Sequence, residues 1–238
     1  MSTTLFISDL HLDSARPEVS RALASFLGQH KDCERLYILG DLFEAWLGDD
    51  DDSAIARDTA GMLRRFTASG PKLFLMQGNR DFLLGEAFCH SVGGHLLTDP
   101  TVIELYGEST LLMHGDTLCS GDTQYQQFRA VARSTDFQKE FLGHSLDQRR
   151  IIADQLRKKS KEATSGKSED IMDVTETSVE KAMHLAGARQ LIHGHTHRPA
   201  RHDGHAGTRW VLGDWATKGW FIEASSTNIY LHNFLINS

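Results

Sequence analysis

The stretch Leu5-Phe6-Ile7-Ser8-Asp9-Leu10-His11-Leu12 is an apolar run that ends in a carboxylate and an imidazole two residues apart. Its Leu, Phe and Ile residues predict a buried strand that leads into a loop. Alternate side chains of an extended chain point to the same side, so Asp9 and His11 would lie together. Such a pair is half of a metal site, although an Asp and a His this close in sequence more often form a turn or a hydrogen bond. A metal site therefore requires further ligands from elsewhere in the chain.

Four later apolar stretches end in a similar polar cluster. They are 36–39 before Gly40-Asp41, 73–76 before Gly78-Asn79-Arg80-Asp81, 111–113 before His114-Gly115-Asp116, and 191–192 before His193-Gly194-His195-Thr196-His197. Side chains at the ends of neighbouring strands in one sheet converge on a common edge. The five clusters are therefore expected to meet.

The polar clusters share nitrogen and oxygen donors and contain no thiolate. Donors of this kind suit manganese, iron or zinc. The candidate metal ligands are Asp9, His11, Asp41, Asn79, His114, His195 and His197. Seven ligands are too many for one ion, whereas two metals that share a bridging carboxylate would use them all. Two-metal sites hold the attacking and the leaving oxygen of a phosphoryl group, so the sequence predicts phosphoryl chemistry.

The rest of the chain predicts further helices and strands. In chain order these are a helix over 16–28, a helix over 54–66, strands over 101–105 and 111–113 around a turn at Gly107-Glu108, and strands over 209–212, 220–223 and 228–234. Residues 122–185 are helical in character, charged and without strands.

Composition excludes several classes of protein. With 238 residues, 40% hydrophobic and 24% charged, the chain is expected to form one globular domain over 1–238. No apolar run approaches the roughly 18 residues of a membrane span, and no secretory signal is predicted, so a cytoplasmic location is expected. The formal net charge of -7 argues against a nucleic-acid partner. Cys33, Cys89 and Cys119 are widely spaced, which argues against a disulfide framework and a thiolate zinc site.

The chain resembles the calcineurin-like metallophosphoesterase superfamily in five blocks that occur in the same order: Asp9-x-His11, Gly40-Asp41, Gly78-Asn79-Arg80-Asp81, His114-Gly115-Asp116 and Gly194-His195-x-His197. Four longer blocks, over 37–46, 78–83, 114–119 and 193–199, resemble the branch of that superfamily that acts in lipid A synthesis. The resemblance implies an α/β (α+β) fold, a two-layer β-sandwich flanked by helices. It also implies two manganese ions in the cleft at the edge of the sandwich.

The resemblance further implies how the ligands divide and what they do. One ion would take Asp9, His11, Asp41 and His197, and the other would take Asp41, Asn79, His114 and His195, with Asp41 as the bridge. The implied reaction is hydrolysis of the pyrophosphate bond in a UDP-linked diacylglucosamine, by a hydroxide that the two metals activate. Its products would be UMP and the diacylated sugar 1-phosphate. The implied catalytic residues are Asp41, Asn79, Arg80, His114 and His195.

Arg80 stands where the superfamily usually has a histidine near the leaving group. An imidazole can donate a proton, whereas a guanidinium stays charged and can only brace phosphate oxygens. A leaving lipid phosphate needs little protonation, so an arginine suits a pyrophosphate bond better than an alkoxide ester. Arg80 and Lys167 are expected to offset the charge of the diphosphate.

Residues 122–185 are expected to form a helical lid inserted into the domain. Its apolar side chains would either pack as core or line a groove for acyl chains. A basic cluster would either be solvated or meet anionic lipid headgroups; it comprises Arg149, Arg150, Arg157, Lys158, Lys159, Lys161 and Lys167. By resemblance, the substrate contacts are Asn79, Arg80, Asp122, Ser160, Thr164, Lys167 and His195. Family members often carry Asn where this chain has Thr164. The resemblance implies a peripheral position on the cytoplasmic side of the bacterial inner membrane, and the oligomeric state is left open.

Several residues near the motifs are expected to be structural. Asp81 and Asp116 are predicted to accept hydrogen bonds that hold the ligands, and His193 to be buried and hydrogen-bonded. The acidic run 49–52 is predicted to be a hydrated loop or the start of a helix, and not a cation site. Two rival functions stay open. One is a phosphodiesterase or pyrophosphatase acting on soluble nucleotide sugars. The other is a non-catalytic scaffold, which would have no chemical need for all seven ligands.

Overall fold

The computed structural model describes residues 2–164 and 171–237, without the side chains of Lys161 and Thr164. Its strands are β1 (Thr4–Ile7), β2 (Arg35–Leu39), β3 (Lys72–Met76), β4 (Gly94–Leu97), β5 (Thr101–Leu105), β6 (Glu108–Leu112), β7 (Gln190–His193), β8 (Ala200–Gly204), β9 (Gly207–Val211), β10 (Lys218–Ala224) and β11 (Ile229–Leu235). Its helices are α1 (Pro17–Gln29), α2 (Ala54–Ala68), α3 (Glu86–Ser91), α4 (Thr123–Ala132), α5 (Thr135–Leu142), α6 (Leu146–Thr164) and α7 (Glu176–Ala186). A short 3-10 helix spans Asp116–Leu118.

The strands form two mixed sheets. The first has six strands in the order β11-β10-β1-β2-β3-β4, and the second has five in the order β5-β6-β7-β9-β8. Strands β1 to β4 run parallel to one another, as do β6, β7 and β9. The remaining pairings are antiparallel. Because parallel neighbours end at the same edge, the loops after β1, β2 and β3 leave the first sheet together, and those after β6 and β7 leave the second.

The two sheets face each other across a shared apolar core. Along β1, Phe6 belongs to the cluster between the sheets, whereas Leu5 and Ile7 belong to the cluster beneath the helices. Phe6 stacks on Tyr37 with ring centroids 5.0 Å apart. Residues of α1, α2 and α3 pack on the outer face of the first sheet, and Val179 of α7 packs on the second. The predicted two-layer β-sandwich flanked by helices is confirmed.

The predicted helices and strands are all present, and local chemistry explains several of their ends. Helix α1 begins at Pro17, whose fixed φ suits a first helical turn. Helix α2 follows Ser53, whose side chain accepts a hydrogen bond from the backbone N–H of Ala56. The turn between β5 and β6 lies at Tyr106-Gly107, one residue earlier than predicted, and both residues have the positive φ of a type I′ hairpin.

Three short elements have no counterpart in the sequence predictions, namely β4, β8 and α3. Strand β4 begins with glycine and histidine and joins the first sheet by parallel pairing with β3. Strand β8 is polar and mostly exposed, and it pairs with β9 at the edge of the second sheet. Backbone pairing defines both strands, so their side-chain patterns carry little signal.

The helical stretch after the 3-10 helix divides into two parts. Its described residues, 122–164 and 171–185, contain α4 to α7 and no strand. Helix α7 packs on the second sheet. Of the helices expected to form the lid, α4, α5 and α6 therefore remain. Phe141 of α5 is buried in the core cluster, while Phe128, Val131 and Ile151 are exposed. Neither α6 nor any other helix within 2–164 and 171–237 is long and apolar enough to cross a membrane.

The three cysteines are buried and free, so the prediction of no disulfide is confirmed. Burial raises the pKa of the Cys33 thiol to about 11 and those of Cys89 and Cys119 to about 12. At neutral pH all three are therefore protonated core side chains.

Candidate metal centre

The carboxyl ends of β1, β2, β3, β6 and β7 meet at one end of the sandwich. The five polar clusters therefore come together, but between two sheets and not at the single sheet edge that the sequence pattern suggested. Hydrogen bonds join the two sheets there. The backbone N–H of His195 donates to Asp9 Oδ2 at 2.9 Å, and His114 Nδ1 donates to the carbonyl oxygen of Leu39 at 2.9 Å.

Most of the candidate ligands have a strained backbone. Their positive φ angles are 56° at Asp9, 49° at His11, 52° at Asp41, 66° at His195 and 55° at His197. A non-glycine residue in this left-handed region costs roughly 1–2 kcal/mol, and such residues cluster at functional sites. The turns after β1, β2 and β7 therefore mark this end of the sandwich as a functional site.

Two glycines of the motifs allow the backbone to approach the carboxylates. A Cβ atom at Gly78 would collide with Asp41 Oδ1, and one at Gly194 would collide with Asp9 Oδ2. Any other residue at these positions would displace a candidate ligand. Space, and not φ, therefore explains the glycine before Asn79 and the one before His195.

Asp9, His11 and His197 form one cluster of donor atoms. His11 Nε2 lies 3.3 Å from His197 Nε2, which lies 3.4 Å from Asp9 Oδ1. Asp41 Oδ2 lies 3.8 Å from His11 Nε2. We refer to Asp9, His11, Asp41 and His197, the ligands predicted for one ion, as the first metal site.

Asn79, His114 and His195 form a second cluster. His114 Nε2 and His195 Nδ1 each lie 2.8 Å from Asn79 Oδ1. His114 Nε2 also lies 3.8 Å from Asp41 Oδ2. We refer to Asp41, Asn79, His114 and His195, the ligands predicted for the other ion, as the second metal site.

Asp41 stands between the two clusters. Its Oδ2 atom is 3.8 Å from a histidine nitrogen of each site, while its Oδ1 atom accepts a hydrogen bond from the backbone N–H of Arg80 at 2.8 Å. A carboxylate in this position can bridge two cations. Asp9 is also close to both clusters. Its carboxylate lies in one group of neighbouring donor atoms with His11 and His197, and in another with Asp41 and His114.

Burial and nearby charges set the pKa values of the second-site histidines. Burial disfavours a charged His114, but the surrounding carboxylates, Asp41 foremost, outweigh burial and raise its pKa to about 9. At His195, burial and the neighbouring His114 lower the pKa to about 4. The carboxylates thus favour positive charge at His114, and a metal cation can supply that charge in place of a proton.

Asp81 and Asp116 accept hydrogen bonds beside the ligands, as predicted. Asp81 accepts from the backbone N–H groups of Asp41 at 3.2 Å and Gly78 at 2.7 Å. Asp116 accepts from the Tyr125 hydroxyl at 2.5 Å. These contacts hold the segments that carry the candidate ligands.

His193 is a buried, hydrogen-bonded residue, which confirms its predicted structural role. Its Nδ1 donates to the carbonyl oxygen of Gly194 at 2.9 Å, and its Nε2 accepts from Arg209 at 3.3 Å. Burial lowers the pKa of His193 to about 3, so the imidazole is neutral.

Glu44 contacts the first metal site, although no role was predicted for it from the sequence. Its Oε2 atom lies 3.2 Å from His11 Nδ1, and its Oε1 atom lies 3.8 Å from a guanidinium nitrogen of Arg80. Burial lowers the pKa of His11, but the contact with Glu44 and the nearby carboxylates outweigh burial and raise it. One signal was present in the sequence, because Glu44 lies in the block over 37–46 that also contains Asp41.

A cleft of about 1010 Å³ opens beside the first metal site. The residues that line it include His11, His197, Glu44, Arg16, Arg80, Arg157, Lys158 and Ser160. Several cationic side chains around one cleft suit a diphosphate ligand. Arg157 precedes Ser160 by three residues on α6, so the two side chains share a helix face. This spacing is a sequence signal that places Arg157 beside the predicted substrate contact Ser160.

A narrower apolar pocket of about 90 Å³ lies between the core and the lid helices. Tyr125, Phe128, Phe141 and Leu156 line it from the lid, and Trp46, Phe82 and Leu83 line it from the core. Asn79 and Arg80 also line this pocket. The apolar pocket therefore adjoins the second metal site.

Of the remaining predicted substrate contacts, Ser160 lies at the two cavities, Asp122 lies at the start of α4, and the other two side chains are not described. Ser160 lines both the cleft and the apolar pocket. Asp122 caps α4, because its side chain accepts a hydrogen bond from the backbone N–H of Tyr125 at 3.0 Å. The side chain of Thr164 and all of Lys167 lie outside the described residues.

Arg149 differs from what was expected of the basic cluster, whose side chains were predicted to be solvated or to meet lipid headgroups. The side chain is buried and donates to the carbonyl oxygens of Leu47 at 3.1 Å and His144 at 2.9 Å. Its guanidinium also forms an ion pair with Asp50 at 2.6 Å. Arg149 therefore anchors the start of α6 to the core and is not available to a lipid headgroup.

The acidic run 49–52 is also more than a hydrated loop. Asp49 accepts hydrogen bonds from the backbone N–H groups of Gly85 at 2.8 Å and Phe88 at 3.0 Å, where α3 begins. Asp50 and Asp52 form ion pairs with arginines of α6. The predicted loop at the start of a helix is present, since α2 begins at Ala54, and its carboxylates also have partners about 35 and 100 residues further along the chain.

Known proteins match both the sequence and the fold. The family model described as calcineurin-like phosphoesterase matches residues 2–199, a range that contains all seven candidate ligands. The chain belongs to the calcineurin-like phosphoesterase family. Membership makes it a metal-dependent phosphoesterase, which confirms the predicted enzyme class and the need for a metal.

Proteins named UDP-2,3-diacylglucosamine hydrolase match nearly the whole chain. One from Cellvibrio japonicus (strain Ueda107) is 48% identical over 236 residues, which cover 97% of this chain and 98% of its own. One from Pseudomonas aeruginosa (strain UCBPP-PA14) is 49% identical over 226 residues, covering 93% and 94%. One from Xanthomonas oryzae pv. oryzae (strain PXO99A) is 46% identical over 246 residues, covering 98% and 100%.

Solved structures share the fold at low sequence identity. An archaeal phosphodiesterase has a TM-score of 0.51 at 11% identity, covering 98% of this chain and 99% of its own. A hypothetical protein from Pyrococcus horikoshii OT3 has a TM-score of 0.53 at 10% identity, covering 100% and 88%. These two likenesses support the two-sheet architecture.

Proposed function

We propose that the chain hydrolyses the pyrophosphate bond of UDP-2,3-diacylglucosamine and releases UMP and 2,3-diacylglucosamine 1-phosphate, a step of lipid A synthesis. The observation that carries this proposal is the position of Asp41 between two sets of donor atoms, with Arg80 in contact with its carboxylate and lining the adjacent cleft. Relatives at 46–49% identity that span nearly the whole chain have the corresponding name.

The donor sets fit two Mn²⁺ ions. The first metal site offers two carboxylates and two imidazoles, and the second offers a carboxylate, an amide oxygen and two imidazoles. Neighbouring donor atoms within each set lie 2.8 to 3.8 Å apart. These nitrogen and oxygen donors suit manganese. Two such cations, when bound, lower the pKa of a water molecule and offset charge on phosphoryl oxygens.

Arg80 is the residue that we expect to hold the diphosphate. Its backbone N–H is fixed by Asp41, and its side chain lines both the cleft and the apolar pocket. The guanidinium keeps its charge at any working pH and can donate to two phosphate oxygens at once. Arg157 of α6 lines the same two cavities and would add a second guanidinium from the lid.

We propose that a water oxygen attacks the α-phosphorus. One P–O bond forms there, and the bond from the α-phosphorus to the oxygen that bridges the two phosphorus atoms breaks. The leaving group is the sugar 1-phosphate, a stable anion that requires no general acid. Arg80 therefore has to stabilise charge and not to donate a proton.

The apolar pocket supports an acylated substrate. Aromatic side chains of the lid and the core line it directly beside Asn79 and Arg80, so an acyl chain there would keep the diphosphate at the metal centre. Large apolar side chains are also exposed on the lid at Phe128, Val131 and Ile151. They support peripheral contact with a membrane. We propose that this is the cytoplasmic side of the bacterial inner membrane, where the substrate would be reached.

A Mn²⁺-dependent assay that measures UMP release tests the substrate class. The acylated UDP-sugar is expected to turn over more than about tenfold faster than its deacylated form, since each buried methylene contributes about 0.8 kcal/mol. Equal rates would favour the alternative of a soluble nucleotide sugar, for which the wide, charged cleft of about 1010 Å³ is the supporting observation.

Hydrolysis in ¹⁸O-labelled water tests the direction of attack. Attack on the α-phosphorus places the label in UMP. Label in the sugar 1-phosphate, measured by mass spectrometry, would contradict this direction while leaving the substrate assignment intact.

A further inference from the structure

Helix α4 makes several hydrogen bonds to the segment that follows His114. The Tyr125 hydroxyl and Arg129 Nε donate to Asp116 Oδ2 at 2.5 Å and 2.7 Å, and Gln126 donates to the Asp116 carbonyl oxygen at 2.8 Å. Asp116 is fully buried and lies two residues after His114. Three side chains of one helix therefore hold both the carboxylate and the backbone of this residue.

Arg133, at the end of α4, holds a second segment. One guanidinium nitrogen donates to Gln77 Oε1 at 2.6 Å, and another donates to the carbonyl oxygen of Gly78 at 2.9 Å. Gly78 directly precedes Asn79. The planar guanidinium presents donors in a fixed fork, so it fixes these two acceptors relative to α4.

The two segments come from different sheets but supply ligands to the same site. Asn79 follows β3 of the first sheet, and His114 follows β6 of the second. Their side chains meet at 2.8 Å in the second metal site. Within the described residues, α4 makes no side-chain hydrogen bond to the loops that carry Asp9, His11 or His197.

We infer that α4 is a fixed element whose Arg129 and Arg133 position the ligands of the second metal site and so set its affinity separately from that of the first. The inference rests on the two-metal centre of the proposed function. Residues that orient metal ligands typically change metal affinity by about 10- to 100-fold when they are replaced.

The test is the variant Arg133→Gln in the full-length chain, with Mn²⁺ binding measured by equilibrium dialysis and metal analysis. The second affinity is expected to fall about tenfold, while the first stays within about twofold of wild type. Arg133→Lys keeps the charge, but its ammonium group cannot span both acceptors. The second Mn²⁺ affinity of this variant is therefore expected to lie between those of Arg133→Gln and wild type. Arg150→Gln removes an arginine of α6 that pairs with Asp52 and Asp147, and is expected to change neither affinity.

Manganese anomalous scattering from crystals grown at limiting Mn²⁺ identifies which site has lost its ion. Loss at the second metal site with a retained signal at the first supports the inference. Unchanged affinities, or an equal loss at both sites, would overturn it, because equal loss means general loosening of the fold. Wild-type protein that binds two Mn²⁺ but does not hydrolyse the UDP-sugar would contradict the proposed function and leave the role of α4 intact.

Discussion

His11 Nε2 and His197 Nε2 lie 3.3 Å apart although 186 residues separate the two histidines in the chain. Both nitrogens are close to carboxylate oxygens, those of Asp41 and Asp9. Two ring nitrogens and two carboxylates around one point are a donor set that can hold a cation, because its charge would satisfy lone pairs that otherwise repel one another.

Replacing His197 by Ala should remove one metal without unfolding the protein. His197 is about 38% exposed, so its loss leaves little buried volume. The expected result is a fall from two bound Mn²⁺ per chain to one, measured by elemental analysis after dialysis. His184→Ala, at an exposed position near the end of α7, is the control and should keep both ions. Two ions retained in His197→Ala would contradict the first metal site.

Asp41→Asn should lower turnover by at least about 100-fold, even at saturating Mn²⁺. The amide keeps the shape of the side chain and an oxygen that can accept from Arg80 N–H, but it loses the charge that a bridge between two cations requires. Steady-state UMP release measures the effect. Substantial activity in this variant would rule out Asp41 as an essential bridge.

Glu44→Gln should weaken the first metal site about tenfold, since an amide orients His11 less strongly than a carboxylate does. The same change removes the partner of Arg80, so KM for the UDP-sugar should rise as well. Mn²⁺ titration and steady-state kinetics separate the two effects. If neither value changes, the contacts of Glu44 have no functional role. Glu44→Asp, which keeps the charge on a shorter side chain, should recover part of both.

Metal binding should release protons and become tighter as the pH rises. The pKa of His114 is raised to about 9 in the metal-free chain, so below pH 9 Mn²⁺ has to displace a proton from it. The affinity is expected to increase up to about tenfold per pH unit for one displaced proton, and to level off above pH 9. Calorimetry in buffers of different ionisation enthalpy counts the released protons. An affinity that does not change between pH 6.5 and 8.5 would contradict the pKa assignment.

Arg149→Met should destabilise the lid and its attachment to the core. The change leaves several buried carbonyl oxygens without a donor, which costs about 3 kcal/mol of unfolding free energy. Urea denaturation measures the change, and faster proteolysis between α5 and α6 would show where it acts. The control is Arg150→Met, because the ion pairs of Arg150 are exposed. Its free energy of unfolding should stay close to that of wild type. Equal stability of the two variants would mean that Arg149 does not anchor α6.

The sequence by itself was sufficient to predict the donor set and the five strands that carry it. Each of the five polar clusters follows an apolar run, and both features depend on residues that are adjacent in the chain. For the same reason, strands and helices with a clear period could be predicted, whereas β4 and β8, which are defined by pairing with other strands, could not. The order of the motifs was specific enough to predict the family.

Only the tertiary structure decided how these segments combine. It divides the five strand ends between two sheets, brings Glu44 to His11 and Arg80, and joins the acidic run 49–52 to α3 and α6. It also joins α4, part of the expected lid, to Asp116 and Gly78, which lie close in the chain to His114 and Asn79. The physical reason is that these contacts join residues far apart in the chain. The side-chain pattern of a segment shows that it will be buried, but not which distant segment will bury it.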